Sequence, residues 1–152
     1  MDVAFPAESS GESESKMEAI VRHLSGVRFE AVARGHRVVC DQPMENHGAD
    51  AGMTPPEFML ASLGACAGYY AVEYLRTRGL PTEGLEVRVT AEKANGPARL
   101  DAFRVEVTVP DLDARHAAGI LRAVKACLIH NTLTHAPAIE IALETRVPAT
   151  VG

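Results

Sequence analysis

Basic runs are missing from this sequence, cysteine is scarce, and no apolar stretch is long. Fifteen lysines and arginines are scattered among 20 aspartates and glutamates, for a formal charge of −5. Without a basic stripe there is no electrostatic footprint for a phosphate backbone or an anionic lipid surface, so neither nucleic acid nor membrane is an expected partner. The longest nearly apolar run, Phe58 to Val72, falls short of the roughly 20 residues that span a bilayer. The N-terminus carries no basic stretch followed by an apolar segment, so the expected location is the cytoplasm. Cysteine is limited to Cys40, Cys66 and Cys127, an odd number at wide spacing. That argues against a secreted disulfide framework and makes any cystine a matter of redox chemistry rather than scaffolding.

What is present suits one ordinary core. The chain has 152 residues, 47% of them hydrophobic, enough for a single domain and too few for two. Residues 1–16, acidic and serine-rich (FPAESSGESES), cannot bury enough surface to offset their ordering entropy and read as a loose tail before a domain over 17–152. Ala19–Leu24, Val27–Ala33 and His36–Cys40 are short β-prone stretches separated by Gly26 and Gly35, which predicts an antiparallel meander. Residues 41–53 (DQPMENHGADAGM) have no period of either kind. A loop that long is usually functional or mobile.

At Thr54 the character changes. Thr54-Pro55-Pro56-Glu57 places a hydroxyl at the N-cap, proline at the first helical position and a carboxylate at the third, a strong helix start. The run FMLASLGACAGYYAVEYL that follows is apolar on nearly every face, so this helix, Thr54 to Arg78, should be buried all round in the assembled protein. Its many small residues would let other backbones approach. Arg76, Arg78, Gly79 and Pro81 make the stop. Leu85 to Ala91 and Phe103 to Val109 alternate apolar with polar about Asn95-Gly96, a hairpin with one wet face. Pro110 and Asp111 open a second helix, with Ala117, Ile120, Leu121, Val124, Cys127 and Leu128 at helical spacing. Cys127 falls on its buried stripe or just past a break. Ala138 to Thr145 alternates again and predicts a last strand.

Taken in order, a meander, a glycine-containing loop, the P-P-E-F-M-L-A-S-L-G-A-C-A helix, a hairpin and then K-A-C-L-I-H-N-T-L resemble the osmotically inducible protein C and organic hydroperoxide resistance (OsmC/Ohr) superfamily. The likeness runs from about Glu18 to Thr145. It implies an α+β OsmC-like fold, antiparallel sheets wrapped around a long central helix in an intertwined homodimer. It further implies Cys66 as the peroxidatic thiolate, Cys127 as the resolving thiol, and Glu57 as the carboxylate that orients an arginine toward the reactive sulfur. The implied substrate is an organic hydroperoxide, alkyl or lipid, with electrons returned by an external dithiol and no metal, flavin or haem cofactor. Such chemistry needs two thiols: one takes the peroxide oxygen as a sulfenic acid, and the other captures it as a disulfide before further oxidation. Leu128 stands where the hydroperoxide-resistance branch has proline, which brings the chain nearer an OsmC-like branch. Arg28 is the arginine best placed by order, with Arg34 and Arg37 as rivals.

Plainer roles exist for every one of these residues. A lone cysteine on an apolar helix is ordinarily a small core filler. Glu57 completes a capping box with Thr54 whatever else it does. Nine positions along a straight helix amount to about 13 Å of rise and about 180° of rotation, so Glu57 cannot touch Cys66 within one helix and would have to act across a dimer interface. Cys40 reads as structural, His47 as a polar loop residue, and Tyr69 and Tyr70 as interface packing or the border of an apolar pocket. His130 would lower a thiol pKa or complete a metal site with Cys66 and Cys127, although C-x-x-H alone is a weak ligand pattern. Two other functions fit the sequence: a non-catalytic protein that binds a small hydrophobic ligand, and a metal or thiol-carrier module.

Overall fold

The computed structural model describes residues 16–146, so the tail expected over residues 1–16 lies outside the described residues except for Lys16. Strands β1 (Ile20–Ser25), β2 (Arg28–Ala33) and β3 (His36–Cys40) form an antiparallel meander in that order. Helix α1 (Pro55–Arg76) follows, then the antiparallel pair β4 (Glu86–Ala94) and β5 (Arg99–Thr108), then α2 (Ala117–Lys125) and α3 (Leu128–Thr134). The α+β class and the strands up to β5 agree with the sequence pattern to within a few residues.

Helix α1 starts where its cap chemistry dictates. The Thr54 hydroxyl accepts the Glu57 N–H at 3.4 Å, and the Glu57 carboxylate accepts the Thr54 N–H at 2.8 Å, the two halves of a capping box. It buries Leu63, Gly64, Ala67, Ala71 and Leu75 on one face. The hairpin crosses that face where side chains are absent: a β-carbon on Gly64 would lie 3.2 Å from Val89 Cγ2, and one on Gly68 3.5 Å from Val87 Cγ2. The other face stays open, with Ala61, Ala65 and Tyr69 exposed. All-round burial is therefore not reached within one chain, which has only the hairpin and two short helices to lay against α1.

The core centres on Ala71 and Leu75 of α1 and Ile120 of α2, with Leu80, Leu85, Val107, Val109, Leu112 and Val124 packed around them. Tyr74 is wedged beside Gly119, where a β-carbon would collide with its ring. The ring is held in place by its hydroxyl on His116 Nδ1 at 3.1 Å and by the Arg78 guanidinium 3.6 Å from its centroid. The second helix is not continuous. Asp113 caps a short 3-10 turn over Ala114–His116 by accepting the Arg115 N–H, α2 ends at Lys125, and Cys127 adopts an extended backbone (φ −56°, ψ 131°) as the cap of α3. Of the two positions the sequence left open for Cys127, the one past a break is correct.

The predicted last strand does not form. Among the described residues, 138–145 join neither sheet, and Ile139, Ile141 and Leu143 are 77%, 92% and 88% exposed. Alternation supplies a strand's two faces but not the neighbouring edge that its N–H and C=O groups require. The meander is in a similar position: Ile20, Val21, Leu24 and Phe29 remain exposed, and only the hairpin sheet packs on α1 to any extent.

The 41–53 loop has a nucleus of its own. Asp41 is buried, and its carboxylate accepts the N–H groups of Gln42 (2.8 Å), Ala49 (3.1 Å) and Ala51 (3.0 Å). Those bonds, that of Ala51 foremost and with a smaller contribution from Arg28, hold its pKa below the ordinary 3.8. A carboxyl with a lowered folded-state pKa stabilises the fold above its unfolded value, and that stability drains away as pH falls through the folded value. Asp41→Asn is therefore expected to lower the thermal midpoint by several degrees at neutral pH. The difference from wild type should shrink below about pH 3.8; a gap that stays constant down to acid unfolding would remove Asp41 from this role. Gly119→Ala should cost about 1–3 kcal/mol in denaturant unfolding, because the confined Tyr74 ring has little room to retreat.

Candidate functional site

Cys66 and Cys127, 61 positions apart in sequence, come together where α1 meets the α2–α3 break. Cys66 stands between buried Ala67 and exposed Ala65, at the margin of the covered face of α1, and is half-buried. Cys127 is fully buried. Both are free thiols. The Cys127 thiol is pushed above its ordinary value of 9.0, by burial first and then by a hydrogen-bonding contact with Cys66. Two N–H groups at the start of α3 pull the other way, that of His130 lying 3.5 Å from Cys127 Sγ. At neutral pH Cys127 keeps its proton.

The remaining candidates are placed apart from this pair. Glu57 lies exposed on the first turn of α1, its pKa lowered by the Thr54 N–H and hydroxyl, and it makes no ion pair among the described residues. Arg28 is half-buried on β2: one guanidinium nitrogen donates to Ser25 Oγ at 2.9 Å, while Nε is buried without a partner. Arg37 is paired with Glu30 at 2.8 Å, and Arg34 occupies an exposed turn with φ 50°. Of the three arginines, only Arg28 has a buried nitrogen left unused. Cys40 pairs with Phe29 across the sheet and bridges to Met53, a structural setting. His47 is an exposed loop residue, and Tyr69 stacks edge-on against Tyr70 with its own ring exposed. Among the described residues, no three His, Cys, Asp or Glu side chains are grouped to hold a metal ion.

A cavity of about 500 Å³ is lined by residues about one helical turn from each thiol, neither cysteine being part of its wall. Its walls are mostly apolar: Met59 and Leu63 from α1, Phe103 and Val105 from β5, and Leu133 from α3. Leu63 is one turn before Cys66, and His130, also in the wall, is three residues after Cys127. Arg99 and Asp101 occupy the polar part of the rim, paired at 2.9 Å. The Ala102 N–H, and then Arg99, keep the Asp101 carboxyl below its ordinary 3.8. The sequence pattern did find the inward row of Phe103 and Val105. It missed Arg99 and Asp101, which follow the turn with no motif of their own, and it missed Asp41. For Asp41 a signal existed, an aspartate at a strand end before a glycine-containing loop, where such side chains commonly bind nearby N–H groups.

No helix among the described residues is long and apolar enough to cross a membrane. The family model for OsmC-like proteins matches residues 47–142. No curated protein sequence matches the chain. Among solved structures, an OsmC-like protein from Mycoplasma pneumoniae superposes with a TM-score of 0.68 at 19% identity, over 81% of this chain and 90% of that one. An OsmC-like protein of unknown function from Vibrio cholerae gives 0.63 at 14% identity, over 78% and 94%. An organic hydroperoxide resistance protein from Elizabethkingia anophelis gives 0.61 at 16% identity, over 83% and 93%. At these identities the superpositions speak for the fold alone, while the family model spans more than half of the sequence. On the strength of that match, this chain belongs to the OsmC-like protein family.

Proposed function

We propose that this protein is a thiol-dependent peroxidase that reduces organic hydroperoxides, with Cys66 as the attacking sulfur and Cys127 as the resolving one. The observation that carries the reading is the contact of two free thiols from distant parts of the chain beside a largely apolar cavity. A single buried cysteine is unremarkable, but two in thiol contact are one oxidation away from a disulfide. Burial holds the Cys127 proton, which leaves the less buried Cys66 as the sulfur of the pair to attack.

The Cys66 sulfur attacks the terminal peroxide oxygen, the O–O bond breaks, and the alkoxide leaves as an alcohol once protonated. Cys127 then attacks the sulfenic sulfur, releasing water and forming the disulfide. An external dithiol restores both thiols by exchange. The apolar cavity walls suit an alkyl or lipid tail. A related fold bears the name organic hydroperoxide resistance protein, which is in keeping with this assignment.

The working unit in this reading is a homodimer. Residues 138–145 present an unpaired alternating edge, α1 has an open apolar face, and the meander exposes Ile20, Val21, Leu24 and Phe29. A second copy offers matching surfaces to all three. Glu57 and Arg28, each without an ion-pair partner among the described residues, would then meet across the interface and complete the site beside a thiol.

Stopped-flow kinetics with cumene hydroperoxide and a dithiol test the chemistry. Wild type should consume peroxide rapidly, Cys66→Ser should lose the reaction, and Cys127→Ser should accumulate a sulfenate that a dimedone-type probe traps. Equal slow rates in all three would end the proposal. Light scattering tests the assembly: wild type should run at twice the chain mass, and Ile139→Glu combined with Ile141→Glu should weaken the dimer by at least about tenfold, as two lost apolar contacts imply. A wild-type monomer at micromolar concentration would refute the dimeric site.

A further inference from the structure

His130 is the one polar group beside the thiol pair that has a buried atom without a partner. Its Nδ1 is shielded from solvent and makes no hydrogen bond, an arrangement that costs free energy and that native structures seldom keep without a use. Position gives the use. Cys127 caps α3, His130 is the third residue of that helix, and its N–H points at Cys127 Sγ from 3.5 Å. Helical side chains lean back toward the N-terminus, which turns the third position toward the cap residue's end of the helix. The ring also forms part of the cavity wall. The His130 backbone thus binds the buried thiol while its ring, with one nitrogen unused, lines the space open to substrate and water.

The charged and titratable groups around it are few. Cys127 precedes it, with Cys66 as that thiol's neighbour, and Arg99 and Asp101 share the cavity from β5, already paired with each other at 2.9 Å. On its own helix, His135 is occupied with the Asn131 carbonyl at 2.9 Å. What His130 can serve is therefore the sulfur pair.

Resting on the thiol-peroxidase reading, we infer that His130 carries the proton of the resolving step. The imidazole takes the Cys127 proton as that sulfur attacks the Cys66 sulfenic acid. The S–S bond forms, the S–O bond breaks, and the proton passes to the departing hydroxide, which leaves as water. Cys127 is oxidised, the sulfenic sulfur is reduced, and His130 ends as it began. The step needs this help because the resolving thiol is the protonated one, and attack on an electrophilic sulfur requires the thiolate.

The test separates sulfenate formation from disulfide formation in single-turnover mixing with cumene hydroperoxide, for wild type, His130→Gln and His130→Ala across about pH 5.5–9. In His130→Gln, disulfide formation should slow relative to sulfenate formation by about 100-fold near neutrality, the ordinary reach of general acid–base catalysis. The pH limb of the wild-type resolution rate should vanish with it. Free imidazole should accelerate resolution in His130→Ala, where it finds a vacated cavity, and leave His130→Gln unchanged. A His130→Gln protein with the wild-type ratio and pH profile overturns the inference while leaving the peroxidase reading intact. A wild type that never forms a sulfenate overturns both. Should neither variant fold, the wild-type profile decides: a resolution rate that climbs with hydroxide throughout, without a limb, rules the imidazole out.

Discussion

The thiol pair depends on how closely α2 can approach α1, and that is set by a glycine. Gly119 has no side chain where Tyr74 presses against it, and Tyr74 cannot swing aside because His116 holds its hydroxyl and Arg78 covers its ring. With this contact fixed, α2 runs out at Lys125 beside the middle of α1, and the break that follows delivers Cys127 to Cys66. On the hairpin side, Gly64 allows Val89 within van der Waals reach. Cys66 is consequently mounted within α1 and Cys127 at the cap of α3, both held by packing, where a shift of an ångström is resisted far better than on a free loop.

Around that frame the charges follow one rule. Asp41, Glu57 and Asp101 all have lowered pKa values, and in each the first cause is a backbone N–H rather than a guanidinium. Arg28 contributes least among the causes acting on Asp41 and spends only one nitrogen, on Ser25. The backbone stabilises the carboxylates, so the arginine keeps most of its donors. Cys127 is the opposite case, since burial opposes its charge and no cation stands beside it to compensate. A sulfur in that state is a good guard against premature oxidation and a poor nucleophile until its proton is removed.

Local chemistry was legible in the sequence wherever a few neighbouring residues decide the structure. Thr54 through Glu57 fixed the start of α1 to the residue, and the alternation about Asn95-Gly96 located the hairpin. The small residues of L-G-A-C-A did mark a surface of close approach, seen at Gly64. The break at Ala126–Cys127 could only be posed as an alternative, because Val124, Cys127 and Leu128 continue the helical period straight through it. Helical spacing registers which side chains face inward but not a change of axis. Residues 138–145 expose the converse limit: their pattern is that of a strand, yet pairing is a property of two segments, and this chain provides one.

That unpaired segment bears on the chemistry as well as the architecture. Cys66 sits at the boundary between the covered and open faces of α1, so whatever covers the open face also determines how much water reaches the sulfur. Within one chain the nearby surfaces are the hairpin and α3, and the arginine at the cavity rim, Arg99, is committed to Asp101. A thiolate formed there would be exposed and uncompensated, which favours neither its formation nor its selectivity for an apolar peroxide. Cover and positive charge are lacking at the same place. A second copy of the meander, bringing exposed Phe29 together with the neighbouring Arg28 on β2, would meet both needs with one surface. In the proposed homodimer, assembly and reactivity would on that account be two consequences of the same incomplete face.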